Sequence, residues 1–169
     1  MIIFSVILLV ISFLLQGFAS NFLSYTINDV SIFSTIYVLI TLMLIYPYFD
    51  NKKKYLILLV IFGWLVDIVY CNTFLLNISI FFVVYKFNNL FHFFLPDNLF
   101  TLNVSNLLGV FIYHVLSFLL LSLLRYGRFS FVVLGRMLCS SIIMTIVYTT
   151  ISYFIIKLVR SRIELKEVK

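Results

Sequence analysis

Asp67 is the one acidic side chain set inside a long apolar run, so ionisable chemistry in this chain starts from it. A carboxylate there is either a proton or cation site or a hydrogen-bonding anchor, because burying it unpaired in hydrocarbon costs several kcal/mol. A proton path needs a chain of such groups, and the other intramembrane ionisable residue, His114, is remote in sequence. No His, Cys, Asp or Glu stands three or four residues from His114 to complete a metal-ligand pair on a helix face. It reads as a neutral imidazole bonded to a neighbouring hydroxyl or carbonyl, and His92, among phenylalanines, as an amphipathic anchor. Cys71 and Cys139 lie in different apolar segments without CxxC spacing, which indicates neither zinc nor a disulfide framework. No GxSxG, HExxH, P-loop or GxGxxG pattern accompanies the serines. Ser140 and Ser141, following Gly135 and Cys139, read as small residues for close helix approach, as do Gly63, and Gly17 with Ser20. The expectation is a protein with no catalytic, metal or cofactor-binding residues and no cofactor, hence not an enzyme.

The elements that carry these residues are set by composition. The 169-residue chain is 64% apolar and 11% charged, with a mean hydropathy of +1.19, against about half apolar and a quarter charged in soluble domains. Polar residues to line a water-facing surface are missing. Crossing about 30 Å of hydrocarbon takes about 20 apolar residues at about 1.5 Å each, and six runs qualify: 2–22, 30–46, 55–71, 73–90, 102–124 and 137–156. The predicted fold is all-α, a single polytopic membrane domain over 1–169. Asn28 and Asp29 stand as N-caps of the second helix, Pro47 ends it, Thr101 caps the fifth and Gly127 follows its end. Residues 87–101, rich in Asn and Phe, suit an aromatic segment lying in the interface. The runs are too long and too uniformly apolar for barrel strands. The apolar start lacks a positive n-region and reads as an uncleaved first helix.

The charge balance is +6, from 12 basic and 6 acidic residues. Its placement between and after apolar runs sets orientation and meets anionic headgroups, and it speaks against nucleic acid. With six crossings and both termini cytoplasmic, Lys52, Lys53, Lys54, Lys86 and the tail cations Lys157, Arg160, Arg162, Lys166 and Lys169 fall inside. Arg125, Arg128 and Arg136 then fall outside, a residual asymmetry the positive-inside rule leaves unexplained.

The third and fourth runs meet at Asn72 as a tight hairpin. Asp67 and Asn77 then lie at matching depth, roughly 6 to 8 Å below the turn, within reach of a mutual hydrogen bond. Lys86 lies about 13 Å lower than Asn77, too far for a salt bridge to Asp67.

The stretch Gly63-Trp64-Leu65-Val66-Asp67, then Asn72-Thr73-Phe74-Leu75-Leu76-Asn77 and an apolar helix through Tyr85, resembles the MreD family of bacterial rod-shape-determining membrane proteins. Gly63, Asp67 and Asn77 stand at that family's Gly-x-x-x-Asp and at its Asn or His ten residues on. Thr73 and Leu75 depart from it, where proline and glycine are common. The resemblance implies an architecture similar to the substrate-binding subunits of energy-coupling-factor transporters. It also implies a non-catalytic subunit of the elongation (rod) complex in the bacterial cytoplasmic membrane. Its implied partners are MreC and, through it, the MreB filament and the wall-synthesising glycosyltransferase and transpeptidase, with membrane lipids around it. The alternatives are a small-solute-binding transporter subunit with a cavity lined by Asp67, Asn77 and His114, and a membrane enzyme with a dispersed site at Asp67 and His114.

Overall fold

Each apolar run becomes a helix, and the polar and hydroxyl-rich breaks decide where each helix stops. The computed structural model describes residues 2–22, 26–27, 30–31, 36–49, 51–94, 98–123 and 131–167. Among these are helices α1 (Ile2–Phe22), α2 (Tyr37–Ile45), α3 (Lys52–Val66), α4 (Leu76–Phe94), α5 (Leu99–Leu123) and α6 (Phe131–Glu167). Two-residue strands β1 (Thr26–Ile27) and β2 (Val30–Ser31) pair antiparallel between α1 and α2. A 3-10 turn at Tyr46–Tyr48, holding Pro47, closes α2, and a π-helical turn at Asp67–Cys71 closes α3.

Several boundaries differ from those read off the sequence. The second helix starts at Tyr37, not at residue 30; Val30 and Ser31 pair with Ile27 and Thr26 in the strand pair, and residues 32–35 lie outside the described residues. The proposed caps Asn28 and Asp29, and Gly127, lie outside the described residues. The third helix starts earlier, at Lys52, because the Asn51 side chain accepts from the Lys53 N–H at 3.0 Å. The fourth starts later, at Leu76, since the turn takes residues 72–75. Residues 87–94 complete α4 instead of lying flat in the interface, and Thr101 sits buried within α5 instead of capping it. The sixth helix runs well beyond 137–156 at both ends.

Among the described residues, three helices are long and apolar enough to cross a membrane: Lys52–Cys71, Leu99–Leu123 and Leu134–Arg162. Polarity is inverted relative to a soluble protein. Ile143 is 70% exposed and Phe93 82%, while Asp67, Asn77, Asn88, Thr145 and Thr149 are fully buried. Such a surface fits lipid, and the chain is a helical membrane protein.

At the centre stands α2, buried at all nine positions and packed on α1, α4, α5 and α6. A helix apolar all round belongs in such a core. Its end groups find partners on neighbouring helices: Gln16 of α1 accepts from the Val38 N–H at 3.4 Å, while Tyr55 of α3 donates to the Leu42 carbonyl at 3.1 Å and Asn88 of α4 to the Met43 carbonyl at 3.3 Å. Asn88 in turn accepts from Ser105 of α5 at 2.8 Å, and Asn106 of α5 donates to Thr149 of α6 at 3.1 Å. The inner face of α6, through Ser141, Thr145, Thr149 and Ser152, is hydroxyl-lined, and its Tyr148 bonds Thr41 of α2 at 2.7 Å.

The contacts Lys52 to Asn89, Asn77 to Tyr113 and Phe118 to Phe131 make the successive helices from α3 to α6 antiparallel. Arg160 near the end of α6 lies 5.5 Å over the Tyr48 ring, next to the start of α3. Lys52–54 and Arg160 therefore share one end of the bundle, while Arg136 sits on α6 about 36 Å away. Arg125 and Arg128 lie outside the described residues.

Gly109 of α5 provides the seat for α2, since a Cβ there would meet the Met43 thioether, with Met43 Cε at 2.6 Å and Val84 Cγ1 at 3.3 Å. The Met43 end can swing aside for one methyl group but not for a branched chain. Gly109→Ala should unfold in detergent within about 2 °C of the parent and Gly109→Leu about 5 °C or more below it; equal midpoints for all three would refute this seat.

Candidate functional site

Where α3 gives way to α4, one residue closes the first helix with its backbone and caps the next with its side chain. The Asp67 N–H donates to the Gly63 and Trp64 carbonyls, and the Asp67 carbonyl accepts from Asn72 N–H and, at 3.1 Å, from Thr73 N–H. Its carboxylate then reaches across the turn. Oδ1 accepts from Thr73 Oγ1 at 2.5 Å, from the Asn77 N–H at 3.0 Å and from Asn77 Nδ2 at 3.0 Å. Oδ2 accepts from the Asn77 N–H at 3.1 Å and the Ile78 N–H at 3.4 Å.

Asn77 and Ile78 are the second and third residues of α4, whose N–H groups have no carbonyl within their own helix. Asp67 therefore caps α4 from ten residues upstream and places a carboxylate at the positive end of its dipole. The local capping position is held by Leu75, whose side chain has no oxygen to accept from these N–H groups. Leu75 also takes φ 63°, and Asn72 φ 49°. Asn tolerates the left-handed region, whereas a leucine there costs about 1–2 kcal/mol. The departure from the family pattern at Leu75 thus falls where glycine suits the backbone, and the departure at Thr73 adds a hydroxyl that donates to Asp67.

Asn77 is fully engaged. Its Nδ2 donates to Asp67 and, at 3.2 Å, to Cys71 Sγ, while its Oδ1 accepts from the Tyr113 hydroxyl of α5 at 2.5 Å. That uses both amide hydrogens and the carbonyl, so α3, α4 and α5 meet in one network. One turn before Asp67, Gly63 makes room: a Cβ there would lie 3.1 Å from Ile78 Cγ1 and 3.2 Å from Ile78 Cα. Without Gly63 the two backbones could not come close enough for Asp67 to reach Asn77 and Ile78. The structure thus brings Gly63, Asp67 and Asn77 together, and adds Thr73 and Cys71, to which the sequence reading gave no part in this pairing, and Tyr113, which it did not name.

The same end is tied to α1 by Tyr70, which donates to the Phe13 carbonyl at 2.6 Å and fills the space over Gly17, where a Cβ would lie 2.7 Å from the hydroxyl. The small residues of α6 behave differently. Nothing lies within 4 Å of a Cβ at Gly135, Cys139 is exposed, and Ser140 bonds the carbonyl of Met137. Only Ser141 of that group is buried, because 135 and 139 share an outward face of the helix. The Ser20 side chain lies outside the described residues.

His114 is buried beside Tyr113 on α5. His92 lies at the opposite end from Asp67, 5.9 Å from the Tyr46 ring, in an aromatic group with Tyr55 and Tyr85. Lys86 is exposed with its ammonium 5.5 Å over the Phe82 ring. Among the described residues no three of His, Cys, Asp and Glu gather as a metal site. Two clefts, of about 220 Å³ between α5 and α6 and about 250 Å³ between α1 and α6, are lined almost wholly by apolar side chains such as Phe111, Ile142, Phe18 and Val147.

Chemically the arrangement is an acceptor node that joins helices. Asp67→Leu strands the N–H groups of Asn77 and Ile78 and should cost about 3 kcal/mol, while Asp67→Asn keeps one acceptor and should cost about 1–2 kcal/mol. Leu75→Gly should raise stability by about 1 kcal/mol through relief of the backbone. Unfolding followed by the fluorescence of Trp64, the single tryptophan, which is half-exposed on α3, ranks the three; an Asp67→Leu protein as stable as the parent removes the node. Compared with protein-family models, curated proteins and solved structures, the chain matches none.

Proposed function

We propose that this chain is a non-catalytic membrane subunit of the bacterial elongation (rod) complex, of the MreD kind, which scaffolds lateral cell-wall synthesis and cell shape. The observation that carries the reading is the joint itself. The residues that resemble the family, Gly63, Asp67 and Asn77, are not scattered matches but the clearance, the cap and the capped residue of one helical junction. On this reading the chain crosses the cytoplasmic membrane six times with both termini in the cytoplasm, the nine-residue α2 supplying only part of its crossing, in an arrangement similar to the substrate-binding subunits of energy-coupling-factor transporters. Alternating helix directions and the collection of Lys52–54 and Arg160 at one end support that orientation.

The partner of this subunit is MreC, and through it the MreB filament and the wall-synthesising glycosyltransferase and transpeptidase. Docking proceeds through lipid-facing helix faces and van der Waals packing, without bond chemistry. A solute-binding subunit draws less support, because Asp67 and Asn77 satisfy each other and Tyr113 and line neither described cleft.

Purification from native membranes should recover MreC with the chain, and depletion should turn rods into spheres. Asp67→Leu should round the cells while Asp67→Asn largely preserves their shape. Recovery of a vitamin-like solute instead, with unaltered cell shape on depletion, would refute the proposal. Cysteines placed at residues 2 and 168 should both be protected from an impermeant maleimide in whole cells; labelling at one alone contradicts an even number of crossings.

A further inference from the structure

We infer that the end of the bundle opposite Asp67 forms a seat for the phosphate of an anionic membrane phospholipid, with Lys52, Lys53 and Lys54 as its principal ligands. The inference rests on the membrane reading and not on the rod-complex reading. Two helices deliver cations to this end: Lys52–54 are exposed in the first turn of α3, and Lys157, Arg160 and Arg162 are exposed near the end of α6, whereas Lys86 stands midway along α4 with its ammonium turned back over Phe82. Two of them are held in place: Lys52 Nζ lies 3.5 Å from Asn89 Oδ1, which also accepts from the Tyr46 hydroxyl, and the Arg160 guanidinium lies over Tyr48.

Without Lys86, sequence order assigns eight cations and four acids, Asp50, Asp97, Glu164 and Glu167, to this end, so the excess stays positive. Lys52–54 also stand at the positive end of the α3 dipole with no acidic residue in that first turn, where cations repel the helix and an anion is attracted.

The chemistry of the surroundings selects lipid over an acidic protein segment. Exposed Ile57 follows Lys54 within one turn, exposed Leu158 sits between Lys157 and Arg160, and exposed Leu90, Phe93 and Phe94 surround Asn89 on the last turns of α4. A ligand for this surface presents negative charge and hydrocarbon within about one turn, about 5 Å, of each other. A phospholipid does so, and a water-soluble acidic chain does not.

The test is native mass spectrometry of the full chain released from mixed phosphatidylglycerol and phosphatidylcholine nanodiscs with identical acyl chains. Retained phosphatidylglycerol should exceed phosphatidylcholine by about fivefold, which is about 1 kcal/mol. The Lys52→Gln, Lys53→Gln, Lys54→Gln triple variant should fall towards parity, and Arg136→Gln, at the other end of α6, should keep the preference. Glycerol phosphate in solution should not displace the lipid. Equal retention of the two lipids by the parent protein overturns the inference without any variant. So does displacement by glycerol phosphate, or by a soluble polyglutamate peptide, each of which would identify a site for a water-borne anion.

Discussion

A peptide N–H or C=O left without a partner in hydrocarbon costs several kcal/mol, and this fold depends on how it meets that constraint at helix ends. A long helix can carry its ends to the interface, where water and headgroups satisfy them. Here α2 is only nine residues long and α4 starts at a tight turn, so their ends need partners from inside the protein. Gln16, Tyr55 and Asn88 supply them for α2, and Asp67 for α4. Each supplier sits on a different helix from the end it satisfies, so the capping bonds are also the bonds that fix how helices dock.

This makes the buried polar residues structural in a specific sense. Lipid tails exert no hydrophobic pressure that drives apolar helices together, so association rests on packing and on bonds that hydrocarbon cannot replace. Glycines allow the approach and polar side chains then lock it: Gly63 with Asp67, Gly17 with Tyr70, Gly109 with the neighbouring Met43 and Asn88. The pairing of a clearance with a bond one turn away recurs at three junctions.

Much of this organisation was legible in the sequence, and the failures have local causes. The hairpin around Asn72 and the mutual reach of Asp67 and Asn77 follow from counting rise along two antiparallel helices. The start of α2 was missed because apolarity alone does not separate a helix from a short strand where a β-branched and a hydroxyl residue, Val30 and Ser31, stand together. Tyr113 was missed because pairing it with Asn77 needs the register of α4 against α5, a long-range property; the signal available was that Asn77 and Asn88, eleven residues apart, share one face, as do Ser105 and Tyr113, eight apart. Gly135 and Cys139 show the converse, since small residues mark a potential contact but not whether a neighbour lies there. The left-handed backbone at Leu75 was indicated only through comparison with a family pattern that carries glycine.

The sixth helix has a mechanical consequence. At 37 residues it is about 55 Å long, nearly twice the hydrocarbon thickness, and it contains no proline and no glycine after Gly135. A rod without a hinge does not absorb bending locally. Its Phe131 end rests on Phe118 of α5, its middle bonds α2 and α5, and Arg160 near its other end lies over Tyr48, so one straight element holds both ends of the bundle at a fixed separation.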